Sequence, residues 1–199
     1  MKVAVLKETI ANESRVGLVP DGVKFLKKKG LEAVVEKGAG LAAGFPDAAY
    51  EAEGASIAPD ASAAASGADF VFKVQPPTVD EVGTLSKGQI LLSSLQPVMA
   101  LDIVKALRDA GITTMAMDLM PRITRAQSMD ILSSQATVAG YKAVLLGANA
   151  IGKFLPMLTT AAGTVRPAKT LTLGAGVAGL QVLATFRRLG AVMEAFDVR

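Results

Sequence analysis

Thr170–Arg199 reads TLTLGAGVAGLQVLATFRRLGAVMEAFDVR, and this stretch decides the fold. Leu171–Leu173 is a short apolar run of the kind that forms a buried strand. Gly174, Gly176 and Gly179 follow in G-x-G-x-x-G spacing. Leu180, Leu183, Ala184 and Phe186–Leu189 then keep helical periodicity. A second strand candidate, Ala191–Phe196, ends at Asp197, 23 positions after the first glycine. In such a strand–turn–helix–strand unit each glycine has a task. Gly174 permits the tight turn, Gly176 lets a pyrophosphate come close to the backbone, and Gly179 lets the helix pack tightly on the strand. The first helical amides, near Val177 and Ala178, are unpaired donors at the positive end of a dipole and favour a phosphate. Asp197 is spaced to accept from the ribose hydroxyls of an adenine dinucleotide. Its charge repels a 2′-phosphate, which favours NAD over NADP; Arg199 works the other way. Glycines in this spacing also occur as plain packing turns, and it is the flanking strands and the acidic residue that favour the dinucleotide turn.

Upstream, apolar runs alternate with helical patterns. Strand candidates are 2–6, 31–35, 55–58, 69–74, 90–95 and 112–117, and helix candidates are 21–29, 47–53, 61–66 and 101–110. Gly30 stops the first helix, and Pro76-Pro77 ends the strand DFVFKV. Short connections and strict alternation predict a parallel, doubly wound sheet. A long helical run follows from about Ser134 to Gly152, with Val138, Tyr141 and Leu145 expected on its buried face. Leu155–Ala168 reads as a connector. The expected architecture is α/β, with two Rossmann-like doubly wound domains: residues 1–134, and residues 135–199 as the start of a second domain that looks cut short.

Composition narrows the chemistry. The 199 residues are 51% hydrophobic and 20% charged, enough for a substantial core. The net charge of +3 is too small to imply nucleic acid, and Lys27-Lys28-Lys29 reads as a solvated helix end. There is no cysteine and no histidine, so disulfides and thiolate zinc sites are excluded and no metal site is expected. The commonest general base is also missing. Hydride transfer between nicotinamides needs none of these groups. No signal peptide is visible, and no run reaches the ~18 apolar residues of a membrane span. A chain soluble by itself is therefore expected.

Pro121–Gln135, PRITRAQSMDILSSQ, breaks the alternation. By spacing alone it is either a capped helix start with solvated charges or a polar loop lining a crevice. Its place after a strand favours the crevice, since ligands of open α/β sheets bind beyond the carboxyl ends of strands.

PRITRAQSMDILSSQATVAGY, the TAAGTVRPAK connector and LGAGVAGL…FDVR together resemble the NAD(H)-binding domain I, in the alpha subunit, of the proton-translocating NAD(P) transhydrogenases. KETIANESRVGLVP and FKVQPP fit the same family and its relative, alanine dehydrogenase. The resemblance covers the whole chain but about half of the family's domain I. It implies NAD(H) on this chain, NADP(H) on a partner domain III of the beta subunit, and direct hydride passage between the two. It also implies proton translocation by a membrane domain II, a homodimer, and a cytoplasmic place peripheral to the inner membrane. Carried over by motif, the nicotinamide end falls to Arg122, Ile123, Thr124, Arg125, Gln127, Asp130 and Ser133, with Arg122, Gln127 and Asp130 at the reacting centre. The pyrophosphate and ribose contacts fall to Val177, Asp197, Val198 and Arg199. A nicotinamide carboxamide offers one acceptor and two donors, which Gln127 and Ser133 match, while Asp130 would orient Arg122 rather than act as a base. Alanine dehydrogenase is the alternative. That family uses an arginine and a lysine for a substrate carboxylate, and Arg15 and Lys73 hold those places, but it also uses a histidine that this chain lacks; in a transhydrogenase the two cations are expected to form loop salt bridges instead. A third possibility is an inactive cofactor-binding or dimerising fragment.

Overall fold

The computed structural model describes residues 1–198, so Arg199 lies outside the described residues. It forms two compact units, one ending at Met129 and one beginning at Asp130. The division falls at the start of the long helix, a few residues ahead of the 134/135 boundary taken from sequence.

The first unit runs β1 (Lys2–Val5), α1 (Pro20–Lys28), β2 (Glu32–Glu36), α2 (Asp47–Glu53), β3 (Ser56–Ala58), α3 (Ala61–Ala65), β4 (Phe70–Phe72), α4 (Val79–Val82), β5 (Ile90–Ser93), α5 (Leu101–Asp109) and β6 (Thr113–Ala116). Proline fits the first turn of α1, where its missing N–H has no partner to lose. The strands form one parallel six-stranded sheet in the order β3-β2-β1-β4-β5-β6. This is the doubly wound arrangement that the alternation predicts. Its winding reverses between β1 and β4, which opens a crevice at their carboxyl ends. Ala4, Leu6, Val71, Leu91 and Leu107 form the core on one face. Val5, Val23, Val35 and Tyr50 form it on the other, where the Tyr50 hydroxyl donates to the Leu18 carbonyl at 2.9 Å.

The 69–74 strand is shorter than expected. Its ladder ends at Phe72, and the Val74 amide donates instead to the Glu8 carboxylate at 2.6 Å. The four-residue α4 also escapes the reading of hydrophobic periodicity. It is held by a capping box in which Thr78 and Glu81 satisfy each other's amides.

The second unit runs α6 (Ile131–Ala150), β7 (Leu158–Thr160), β8 (Gly163–Val165), β9 (Lys169–Leu173), α7 (Val177–Arg188) and β10 (Val192–Phe196). β9 and β10 pair in parallel, and β7 and β8 form an antiparallel hairpin inside the expected connector. Its Ala161-Ala162 tip carries none of the usual hairpin turn residues, so the sequence did not announce it.

The expected buried face of α6 is corrected. Val138, Tyr141 and Leu145 are exposed, whereas Gly140 and Val144 are buried. The reason is steric. α7 comes so close that a Cβ on Gly140 would meet the Ala178 carbonyl oxygen inside contact distance. Small residues therefore define this interface, and apolar periodicity does not detect a glycine. One face of the β9–β10 pair carries Thr172 against Gly179 of α7, while Leu171, Leu173 and Phe196 on the other face are exposed. Among the described residues no helix is long and apolar enough to cross a membrane.

Candidate functional site

The glycine turn lies at the carboxyl ends of β9 and β10. Gly174 adopts φ +97°, a left-handed conformation that an L side chain resists. A Cβ on Gly179 would collide with the Gly174 carbonyl oxygen. The helix can therefore start directly above the turn only with glycine there. The strand ladder extends past its last residues, because the Gly174 amide donates to the Phe196 carbonyl at 2.7 Å. The Ala175 amide then donates to Asp197 Oδ2 at 2.6 Å.

Gly176 is the N-cap residue of α7 and supplies no side-chain cap. The first-turn amides of a twelve-residue helix are thus left for an outside acceptor, with the helix dipole adding attraction for an anion. Gly174, Gly176, Val177, Gly179 and Asp197 share this one turn. Val198 follows it, 89% exposed. The donor set suits a pyrophosphate, and a carboxylate at the end of the second strand suits a ribose diol, so the residues fit a dinucleotide.

Arg122, Ile123, Thr124, Arg125 and Gln127 are exposed residues of the first unit; a 3-10 turn spans Thr124–Met129, anchored by buried Ala126. Asp130 and Ser133 belong to the second unit. The Asp130 carboxylate caps α6, accepting from the Ser133 amide at 2.9 Å and from its hydroxyl at 2.6 Å. The capped helix start weighed from the sequence is thus present, with Asp130 as its cap.

A second polar cluster stands at the crevice of the first unit, around a cleft of about 220 Å³ lined by Lys7, Glu8, Glu13, Arg15 and the Gly38–Ala42 turn. Beside it Lys73, almost fully buried, meets Glu81 at 2.8 Å and Glu8 at 4.0 Å. Arg15 grips Glu13 through two nitrogens at 2.8 and 2.6 Å, and Gln75 also donates to Glu13 at 2.6 Å. Hydrogen bonding from Arg15 brings the Glu13 carboxyl down to about 2. Burial pushes Glu8 up, against the opposing pull of the Val74 amide and Lys73. Burial raises Glu81 too, but the Lys73 ammonium, the Thr78 amide and the Thr9 hydroxyl outweigh it and hold that carboxyl below its ordinary value. The salt bridges expected for Arg15 and Lys73 are present, but the sequence did not name the glutamates that make them. For Glu81 a signal existed, the Thr-x-x-Glu capping pattern at 78–81.

Residues 4–139 match the alanine dehydrogenase/PNT N-terminal domain, and residues 143–199 match the corresponding C-terminal domain. The chain is 50% identical to an NAD(P) transhydrogenase subunit alpha polypeptide of Rhodospirillum rubrum, over all of this chain and 53% of that protein. A crystal structure of transhydrogenase from Sinorhizobium meliloti superposes with a TM-score of 0.96 at 48% identity, covering 100% of this chain and 59% of the other. An L-alanine dehydrogenase structure gives 0.89 at 30% identity, covering 100% of this chain and 55% of the other. The chain thus spans about half the length of the curated relatives it matches.

Proposed function

Because the chain belongs to the alanine dehydrogenase/PNT family, we propose that it is the NAD(H)-binding part of a proton-translocating NAD(P) transhydrogenase alpha subunit. In this reading hydride passes from NADH on this chain to NADP⁺ on a separate domain of the beta subunit, and a membrane domain couples that transfer to proton movement. The protein works as a homodimer, held at the cytoplasmic side of the inner membrane through its complex. The observation that carries the reading is the turn at Gly174–Gly179, with its uncapped helix amides and the Asp197 carboxylate at its rim.

The bound dinucleotide supplies the hydride chemistry, and the chain's residues supply position. The amides of Gly176, Val177 and Ala178 hold the pyrophosphate, and Asp197 takes the adenosine ribose, with Val198 next to it in the chain. Gln127 and Ser133 orient the carboxamide, and Asp130 keeps Ser133 in place. Arg122, with Ile123, Thr124 and Arg125, grips a phosphate or ribose oxygen or meets the partner domain. No step asks for a proton carrier, which agrees with a chain that contains no histidine.

The test uses the complete enzyme with NADH deuterated on the transferred position. Deuterium appearing in NADPH without loss to water supports direct transfer; complete washout of the label would sink it. The alternative is amine oxidation of L-alanine with NAD, for which Arg15 in the cleft and Lys73 beside it would have to exchange their glutamate partners for a substrate carboxylate. NADH formation from L-alanine and NAD in the same preparation would establish that alternative.

A further inference from the structure

The residue expected to read the ribose is also bonded to the turn expected to hold the phosphates. β10 ends at Phe196, whose carbonyl takes the Gly174 amide at 2.7 Å. One position further on, backbone pairing stops, and the Asp197 side chain takes the Ala175 amide at 2.6 Å. The two bonds are successive rungs, the first made by backbone and the second by a carboxylate. Gly174 sits at φ +97° between them, a conformation that its own sequence does not impose on a flexible residue.

We propose that Asp197 is a positioning residue for the phosphate turn as well as its ribose reader. Two consequences follow. The Ala175 amide is withdrawn from the anion-binding donors, which leaves the amides from Gly176 onward to face the pyrophosphate. A fixed negative charge also stands at the rim of that anion site, rigidly tied to it. Ribose recognition, rejection of an added 2′-phosphate and the shape of the turn therefore share one side chain. The second role rests on the nucleotide reading, but the pin itself does not.

Two near-isosteric substitutions separate these roles. Asp197→Asn keeps an acceptor for the Ala175 amide and removes the charge; Asp197→Leu removes both. Amide exchange at Ala175 is read by NMR on the complete protein without nucleotide. Exchange in Asp197→Leu should be faster than in the parent by about tenfold or more, and exchange in Asp197→Asn should stay within about threefold of the parent. Unchanged exchange in Asp197→Leu would overturn the proposal, and so would Asp197→Asn exchanging as fast as Asp197→Leu. The ligand arm uses the complete protein. There Asp197→Asn should bind NADH through an intact turn while narrowing the preference for NADH over NADPH by about tenfold. If the parent complete protein binds neither nucleotide while the exchange contrast holds, the nucleotide reading falls and the pin stands.

Discussion

Gly140 of α6 lies so close to the Ala178 carbonyl of α7 that no Cβ fits between them. Seven residues on, Gly147 has only the Phe186 ring tip within reach of an added Cβ, at an ordinary 3.6 Å. Gly140→Ala should therefore destabilise the second unit by about 1–3 kcal/mol despite the better helix propensity of alanine. Gly147→Ala should be neutral or slightly stabilising. Thermal or urea unfolding of the two variants checks the contrast.

Gly179→Ala drives a methyl into the Gly174 carbonyl and so pushes the phosphate turn apart from the helix that should serve it. NADH affinity of the complete protein should fall by about tenfold or more. Gly152→Ala, where an added Cβ meets nothing within 4 Å, serves as the control and should leave affinity unchanged.

Lys73 is the buried cation between Glu8 and Glu81. Lys73→Met strands two carboxylates with little water and should cost about 3–5 kcal/mol at neutral pH. Glu81 sits below its ordinary value of 4.5 in the folded chain, so its contribution is complete above pH 4.5 and is lost as pH falls below that. The deficit of the variant should accordingly shrink in acid. Urea titrations across the carboxylate range measure it.

Glu13 is a milder case, because its partner Arg15 is 44% exposed and well screened. Glu13→Gln should cost about 1 kcal/mol at neutral pH. The folded carboxyl lies at about 2 against an ordinary 4.5, so the parent's advantage is present above pH 4.5 and vanishes as pH falls toward 2. A pH-independent difference between the two proteins would show that packing, and not charge, is what the substitution removes.

Gln127→Ala should lower the maximal rate of hydride transfer by about tenfold while changing NADH affinity less, if Gln127 orients the carboxamide. Steady-state kinetics on the complete complex decide it, and an unchanged maximal rate would remove Gln127 from the reacting centre.

The sequence by itself determined the sheet class and the turn. Alternating apolar runs dictate parallel strands with covering helices, and three glycines ahead of a helix allow only a narrow range of backbone paths. Both signals are local, so they survive without knowledge of what lies nearby in space. Tertiary structure decided the rest. Gly140 became a contact surface because of what approaches it, which no periodicity records, whereas the motif spacing had already announced the close packing at Gly179. Glu8 and Glu13 reached Lys73 and Gln75 because β1 and β4 lie side by side at the point where the winding reverses. Asp197 reached the Ala175 amide, 22 residues away in sequence, because β9 and β10 end in register. Burial and pairing of charged groups depend on distances across the fold, and a linear chain carries those only after it has closed on itself.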